Sequence, residues 1–396
     1  MRPAILLATL AVTADAQSIA ARVAQAPDGV VRMEYAGRAG ICGDGRDVIA
    51  YGHVYFAHNL QVFGGRWNDG HCKTGPIRVS LFTSNHDVTR MQAQIGGPWR
   101  AADGQVTDLG AVDSREASQY LFSIVPKLET EAVKDRLLIP AALAADAEVI
   151  APLTALARNE DRRLSTRRSA VMWLGILGDA SVVPTLVEFA RQEVNDDGDD
   201  KASKKSLGTS AMAALSALDG GVGVPALIDF ARNAPGIGTR RNAVFWLGQN
   251  GDPRGLRVLH EVIENKRESA KLREHAIFSL SQAHDGSDAE SAYILARARD
   301  RDEPVSLRKS AIFWAGQREA TPTKDIVAFY GSADVESLRE HTIFVLSQRQ
   351  DGEATDALLR IARDDRDSEM RGKALFWLAQ KHDPRVQKLI ADLILK

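Results

Sequence analysis

The sequence predicts a mainly α protein: a right-handed α-solenoid of about seven or eight helical hairpins, preceded by a small antiparallel β module. Three observations carry this. A small residue recurs in the middle of one helix type, at Ala170, Ala211, Ala243, Ala276, Ala311, Thr342 and Ala374, with spacings of 41, 32, 33, 35, 31 and 32. A period in the low thirties marks an array of stacked helical hairpins. The segments between anchors carry apolar residues three and four apart, so each buries one face. The chain before residue 113 instead alternates apolar and polar residues and is punctuated by glycine clusters.

Composition narrows the function classes. Of 396 residues, 44% are hydrophobic and 26% charged, too apolar for a disordered chain. Two cysteines are too few for a disulfide scaffold. Lys and Arg number 50 against 52 Asp and Glu, so the basic excess of a phosphate-clamping protein is missing and no nucleic-acid partner is expected.

The elements follow in order. Arg2, the apolar run Ala4 to Val12 and the small-x-small triplet Ala14-Asp15-Ala16 have the grammar of a secretory signal, with residues 1–16 removed and Gln17 left first. The alternative is a buried N-terminal helix. The run is far shorter than the ~18 apolar residues of a membrane span, so no transmembrane segment is expected. An exported chain of this kind is periplasmic or secreted.

Residues 17–112 read as a β module of about four strands, with Val30 to Tyr35, Ile77 to Phe82 and Val88 to Ile95 the clearest. Cys42 and Cys72 stand 30 apart. Export and an even count point to a disulfide. Metal is the alternative, since His53, His58, His71 and His86 lie nearby, but neither HExxH nor paired CxxC is present. Gly40, Gly43 and Gly45 lack the strand-to-helix setting of a phosphate loop and read as turn glycines; Gly64-Gly65 punctuates likewise.

Residues 113–161 read as an atypical capping unit, and 162–396 as the repeats. The motif recurs as RRNAVFWLGQ from Arg240, REHAIFSLSQ from Arg273, RKSAIFWAGQ from Arg308, REHTIFVLSQ from Arg339 and RGKALFWLAQ from Arg371. Turns such as Gly251-Asp252-Pro253, Asp285-Gly286, Asp351-Gly352 and Asp383-Pro384 lead into partner helices at Val182 to Ala190, Gly255 to Ile263, Thr355 to Ala362 and Val386 to Leu395. The unit around Ala211 lacks the motif and follows an insert, Glu193 to Ser206, read as a solvated loop. Val386 to Lys396 then closes the array.

These units resemble HEAT repeats, close to the bacterial phycobilisome-lyase-like type. That family carries an Asp before one helix and an Arg in its first turn. Asp161/Arg167, Asp302/Arg308 and Asp365/Arg371 match at six residues apart, Asp334/Arg339 stands five apart, and Arg240 and Arg273 lack the Asp. The resemblance covers residues 115–396, and it implies a fold more than a function. The chain as a whole is also similar to exported bacterial proteins that place a small N-terminal module before HEAT repeats.

At about 100° per residue, the anchor, the next apolar residue and the Arg three before the anchor share the packed side of the helix. The Asp–Arg set, Asp161, Arg167, Arg240, Arg273, Asp302, Arg308, Arg339, Asp365 and Arg371, therefore reads as a structural inter-repeat ladder. The opposite arc carries Phe245/Gln249, Phe278/Gln282, Phe313/Gln317, Phe344/Gln348 and Phe376/Gln380, bordered by Trp246, Trp314 and Trp377. If this helix lines the concave surface, as in the HEAT family, the stripe is a binding surface for a protein or an extended peptide. The alternative is that Phe and Trp fill gaps between units and that Gln satisfies backbone groups.

Glu274-His275 and Glu340-His341 invite a metal reading, because deoxyhypusine hydroxylase is a HEAT-repeat enzyme that holds two irons with His-Glu pairs in comparable positions. Here the order is reversed, the pairs lie two repeats apart, and Lys309-Ser310 stands between them. Helices packed ~8–10 Å apart put alternate units well beyond the ~3.5–4 Å of a two-metal centre. These residues read instead as a solvated face. Bilin lyases share the repeat type but act on cytosolic proteins, which an export signal argues against. No GxSxG, HExxH or Walker motif occurs. The expectation is an exported, non-enzymatic scaffold without a cofactor or metal; the competing class is a HEAT-type hydroxylase or lyase.

Overall fold

The structure is a computed structural model, and it describes residues 17–52, 54–57, 60–63, 72–129, 137–192, 206–283, 288–381 and 385–386. The expected signal segment, His53, His58, His71, Gly64-Gly65, the insert from residue 193 up to residue 205, the Asp285-Gly286 and Asp383-Pro384 turns, and the closing helix beyond Val386 lie outside the described residues. The chain divides into two compact units, with the boundary between Leu174 and Gly175.

In the first unit, α1 (Ile19–Gln25) precedes β1 (Gly29–Tyr35), followed by β2 (Cys42–Gly43), β3 (Val48–Tyr51), β4 (Val54–Ala57) and β5 (Leu60–Phe63). Then come β6 (Ile77–Ser84), β7 (Asp87–Ile95) and β8 (Val106–Ala111). The three strands expected from alternation become neighbours in one sheet, ordered β7-β6-β1-β8. Its inward residues Val31, Met33, Val79, Leu81 and Ile95 are fully buried. The outward residues, such as Arg32 and Arg78, alternate with them, as period-2 geometry demands.

Two corrections follow. The module is mixed, not antiparallel throughout, because β1 pairs β6 antiparallel but β8 parallel. It also holds a second sheet, β2-β3-β4-β5, where about four strands in all were expected. Strands of two to four residues are too short to write an alternation. Cys42, at the start of β2, forms a disulfide with Cys72, with Cα atoms 5.3 Å apart.

α2 (Ser114–Leu128), α3 (Ile139–Ala142) and α4 (Ile150–Arg158) fold with these sheets in the first unit. Asp113 caps α2 by accepting from the Glu116 N–H. Buried Tyr35 donates its hydroxyl to the Pro140 carbonyl at 2.9 Å. Arg38 reaches the Ala142 and Ala147 carbonyls. α5 (Leu164–Leu177) carries the first anchor, Ala170, which is fully buried.

The second unit is a series of helical hairpins. After α6 (Val183–Arg191) come α7 (Gly208–Ala217), α8 (Val224–Asn233), α9 (Ile237–Asn250), α10 (Pro253–Glu264), α11 (Ala270–Ser281) and α12 (Asp288–Arg299). The series continues through α13 (Val305–Gln317), α14 (Thr323–Ser332), α15 (Glu336–Gln348), α16 (Gly352–Asp364) and α17 (Ser368–Ala379). Turn chemistry sets the boundaries. Asp252 accepts from the Arg254 N–H with Pro253 opening α10, Ser269 caps α11, and Asp351 and Asp367 cap α16 and α17.

The odd-numbered helices from α7 to α17 carry the anchors, and Ala211, Ala243, Ala276, Ala311, Thr342 and Ala374 are all fully buried. Each anchor helix packs on the next, more extensively than the partner helices pack on one another. Close approach requires a small residue five after the anchor. A Cβ on Gly248 would stand 2.4 Å from the Ser279 carbonyl oxygen, and one on Gly316 would stand 2.2 Å from Val345 Cγ1. The other units place Ser216, Ser281, Ser347 and Ala379 there. The result is an α-solenoid in which each unit's core is shared only with its neighbours.

Candidate functional site

One flank of the anchor helices is a polar ladder. The recurring arginines make two kinds of contact, and Arg240, Arg273 and Arg308 make both. One turns back to the end of the preceding helix: Arg167 Nε donates to the Ala157 carbonyl, Arg240 to Ala231, Arg273 to Ile263 and Arg308 to Ala298, at 2.7–2.9 Å. The other reaches forward to an acid in the loop of the next unit. Arg240 pairs with Glu268, Arg273 with Glu303, Arg308 with Asp334 and Arg339 with Asp365, at 2.6–2.7 Å. The Arg308 guanidinium, through its hydrogen bond, holds the Asp334 carboxyl below its ordinary range.

The acid rungs differ from those expected. Asp302 is exposed and Arg308 pairs with Asp334 instead. Asp161 is exposed too, and Arg167 takes a carbonyl. The Asp365 carboxylate takes Arg339 of the preceding unit, while Arg371 donates to the Asp365 carbonyl. The cause is the direction of the side chain. An arginine in the first turn points back along its helix and sideways to the neighbour, so it meets an acid 26–30 residues later, not one six earlier. Glutamates Glu268 and Glu303 serve the two arginines that lacked an Asp.

A second ladder escaped the sequence reading. Seven residues after the anchor, Asn250 donates to the Ser216 carbonyl, Arg318 to Ser281, Arg349 to Gly316 and Lys381 to Arg349. These donors satisfy carbonyls left open at or just past the end of the previous anchor helix and meet the negative end of its dipole. The signal was a polar residue following each motif, broken only by Ala283.

The opposite arc carries the aromatic residues, and their rings form one continuous file. Trp246 contacts Phe245 (5.1 Å), which stacks on Phe278 (6.1 Å, 17°), which meets Trp314 (4.7 Å). Trp314 contacts Phe313 (4.8 Å), which stacks on Phe344 (6.1 Å, 4°). Phe344 then meets Trp377 (5.1 Å), which contacts Phe376 (5.2 Å). The rings are half-buried, save Phe376, which is 61% exposed. They pack between units, which is one of the two readings considered from sequence, and each keeps part of its surface exposed.

Among the described residues the glutamine amides of the stripe make no hydrogen bond between units. Gln282, Gln317, Gln348 and Gln380 are exposed and Gln249 is half-buried. Gln282 and Gln348 donate only to the adjacent Ser281 and Ser347 hydroxyls.

His275 and His341 are half-buried against Phe278 and Phe344, with ring centroids 5.6 and 5.8 Å apart, in place of the solvated face expected. Burial, then the Arg241 guanidinium, pushes the His275 imidazole down to about 4. Burial and Lys309 lower His341 likewise. Both rings are neutral at pH 7. Among the described residues no three His, Cys, Asp or Glu side chains converge as a metal site requires. Around Phe278 and Trp314 the face opens into a groove of about 570 Å³, edged by Arg241, Lys271, Glu274, His275 and Ser310.

The geometry defines a helical-repeat protein with a ring-lined face. HEAT repeats match residues 224–315, and the PBS lyase HEAT-like repeat matches residues 166–192. The chain is a HEAT-repeat protein. No curated protein matches its sequence. Among solved structures it is similar to the complex of CpcE and CpcF of phycocyanin lyase from Nostoc sp. PCC7120, at 18% identity over 62% of this chain and 94% of that one, with a TM-score of 0.31. It is also similar to human deoxyhypusine hydroxylase in complex with glycerol, at 17% identity over 68% and 98%, with a TM-score of 0.27.

One expectation is corrected. The protein was expected to be a non-enzyme, whereas the repeat matched at residues 166–192 is of the PBS lyase HEAT-like type. The repeat type thus supports a HEAT-type scaffold or enzyme, and the expectation of no catalysis does not stand. No helix among the described residues is long and apolar enough to cross a membrane.

Proposed function

We propose that the aromatic face of the anchor helices binds an extended segment of a partner protein. The observation that supports this is the unbroken file of eight rings from Trp246 to Phe376, each open on one side. Rings preset by stacking lose little freedom on binding and supply large contact area, which is what binding anchors need. The exposed glutamines beside them offer both donors and acceptors to a peptide backbone. The closer packing of the anchor layer is what a curved array shows on its inner side, which favours the concave face as the binding surface.

We also propose that the protein works outside the cytoplasm, in the periplasm or as a secreted protein. The Cys42–Cys72 disulfide fits an oxidising compartment, and the leader grammar of residues 1–16 agrees. N-terminal sequencing of the protein from culture should read from Gln17; a mature protein beginning at Met1 would overturn this.

A random-peptide display selection on the full chain tests the binding face. Enriched peptides are expected to lose binding to the Phe278→Ala/Phe313→Ala variant while its circular dichroism remains that of the parent. Equal binding to a folded double variant would place the site elsewhere.

A further inference from the structure

The charges along this face are not balanced, and the imbalance names a ligand class. The position two before the anchor alternates in sign: Arg241, Glu274, Lys309 and Glu340. The acids and bases do not neutralise one another evenly. Glu340 is held by Lys373, which also pairs with Glu369. That end of the face is self-compensated.

The other end is not. Arg241 and Lys271 are exposed and Lys309 is half-buried, and none of the three forms an ion pair among the described residues. One acid, Glu274, stands among them. Three cations against one anion leave a net positive stretch above the Phe278 and Trp314 rings, in the same groove that Arg241 and Lys271 edge. The His275 and His341 rings lie beside Arg241 and Lys309; burial first, and then these cations, lower both, with Glu340 acting the other way on His341.

We infer that the groove over Phe278 and Trp314, edged by Arg241 and Lys271 with Lys309 next to its lining residue Ser310, takes an acidic stretch of peptide carrying aromatic or large apolar side chains. The apolar side chains lie on the rings, and the carboxylates face the three cations. This deepens the peptide-binding reading and rests on it. Complementary charge sets orientation and encounter rate more than affinity, so acidity is a selectivity filter laid over an aromatic grip. Its direction is also fixed. The acidic part of the ligand lies over α9, α11 and α13, and the compensated end at α15 and α17 takes uncharged sequence.

The test uses the full chain, disulfide intact, and three dye-labelled peptides read by fluorescence anisotropy. Each is about twelve residues, an extended length of about 40 Å, which spans about four repeats at ~10 Å each. All share the same Phe and Leu positions; the remaining positions are Asp/Glu, Lys/Arg or Ser/Gln. The acidic peptide is expected to bind about tenfold tighter than the neutral one and the basic one more weakly than either, with the preference collapsing in high salt.

The exposed pair Arg241→Glu/Lys271→Glu should invert the order without changing the melting temperature. Phe278→Ala/Phe313→Ala should weaken all three peptides together. Equal binding of the three peptides, with loss only in the aromatic variant, overturns the acidic ligand and leaves the peptide face standing. Binding of none of them, or binding indifferent to the aromatic variant, overturns both. A preference for acidic peptide that survives the charge reversal also overturns the assignment, since the cations named here would not be its source.

Discussion

The β-rich unit and the helical array hold themselves together over different sequence distances. In the first, β1 pairs with β6 and β8, so that Val30 faces Phe82 on one side and Val106 on the other. In the array, every rung of the arginine ladder joins residues 26–30 apart, one repeat to the next. A fold built on distant pairings answers damage as a whole. One built on nearest neighbours answers it locally, in the damaged unit and those beside it. The largest expected effects test that contrast.

Among the described residues Arg273 and Glu303 are the most deeply buried ion pair, with side chains 4% and 1% exposed. Arg273→Ala strands a carboxylate away from water and should cost about 3–5 kcal/mol. Hydrogen exchange should speed up in α11 to α14 and stay unchanged in β1, β6 and β7. Arg273→Met with Glu303→Leu should recover most of the loss, because it removes both charges. Uniform acceleration across the chain would deny the nearest-neighbour account.

Cys42→Ser with Cys72→Ser is the counterpart in the first unit. Opening a loop of this size should cost about 3 kcal/mol. Here the loss should spread through both sheets, while protection of α9 to α17 is retained. Differential exchange before and after substitution reads both outcomes.

The same contrast explains what could be read from sequence. The array was legible because repetition writes each position several times. The anchors, the Phe-Gln stripe and the arginines all stood out by recurrence. Its acid rungs were misread, because Asp302 and Asp334 look alike in a string and only side-chain direction decides which one Arg308 reaches. The donors at Asn250, Arg318 and Arg349 were overlooked, since their type varies and only their role repeats. In the unrepeated unit, β1, β6 and β7 declared themselves by alternation. The short β2 to β5 did not, and nothing local marks β8 as a parallel partner of β1.

Two smaller perturbations sharpen the comparison within the array. Gly316→Val forces side-chain atoms into Val345, whose Cγ1 already lies 2.2 Å from where a Cβ would sit. It should cost about 1–3 kcal/mol and widen the spacing of α13 and α15. Acid acts at His275. Its folded value of about 4 lies below the ordinary 6.5, so the unfolded chain takes the proton first. Stability is therefore complete above about pH 6.5 and should decline toward about 4. The half-buried ring can turn toward water, which limits the loss. His275→Asn should flatten that decline in thermal melts of the array. A decline that persists in the variant would assign the acid sensitivity elsewhere.

The smallest structural effect is expected at the end of the ring file. Phe376 is 61% exposed and touches the file only through Trp377. Phe376→Ala should change stability by less than about 0.5 kcal/mol, as surface substitutions do. Phe313 lies between Trp314 and Phe344, and Phe313→Ala should cost more, about 1–2 kcal/mol, because it empties a half-buried site with neighbours on both sides. If the face grips a peptide along its length, the two should differ in binding as well. Loss of the end ring should shorten the footprint without abolishing binding, and loss of the middle ring should divide the file and weaken binding many-fold. Equal binding losses from both, measured by anisotropy with the same peptide, would mean that the ligand engages isolated rings and that continuity of the file has no part in recognition.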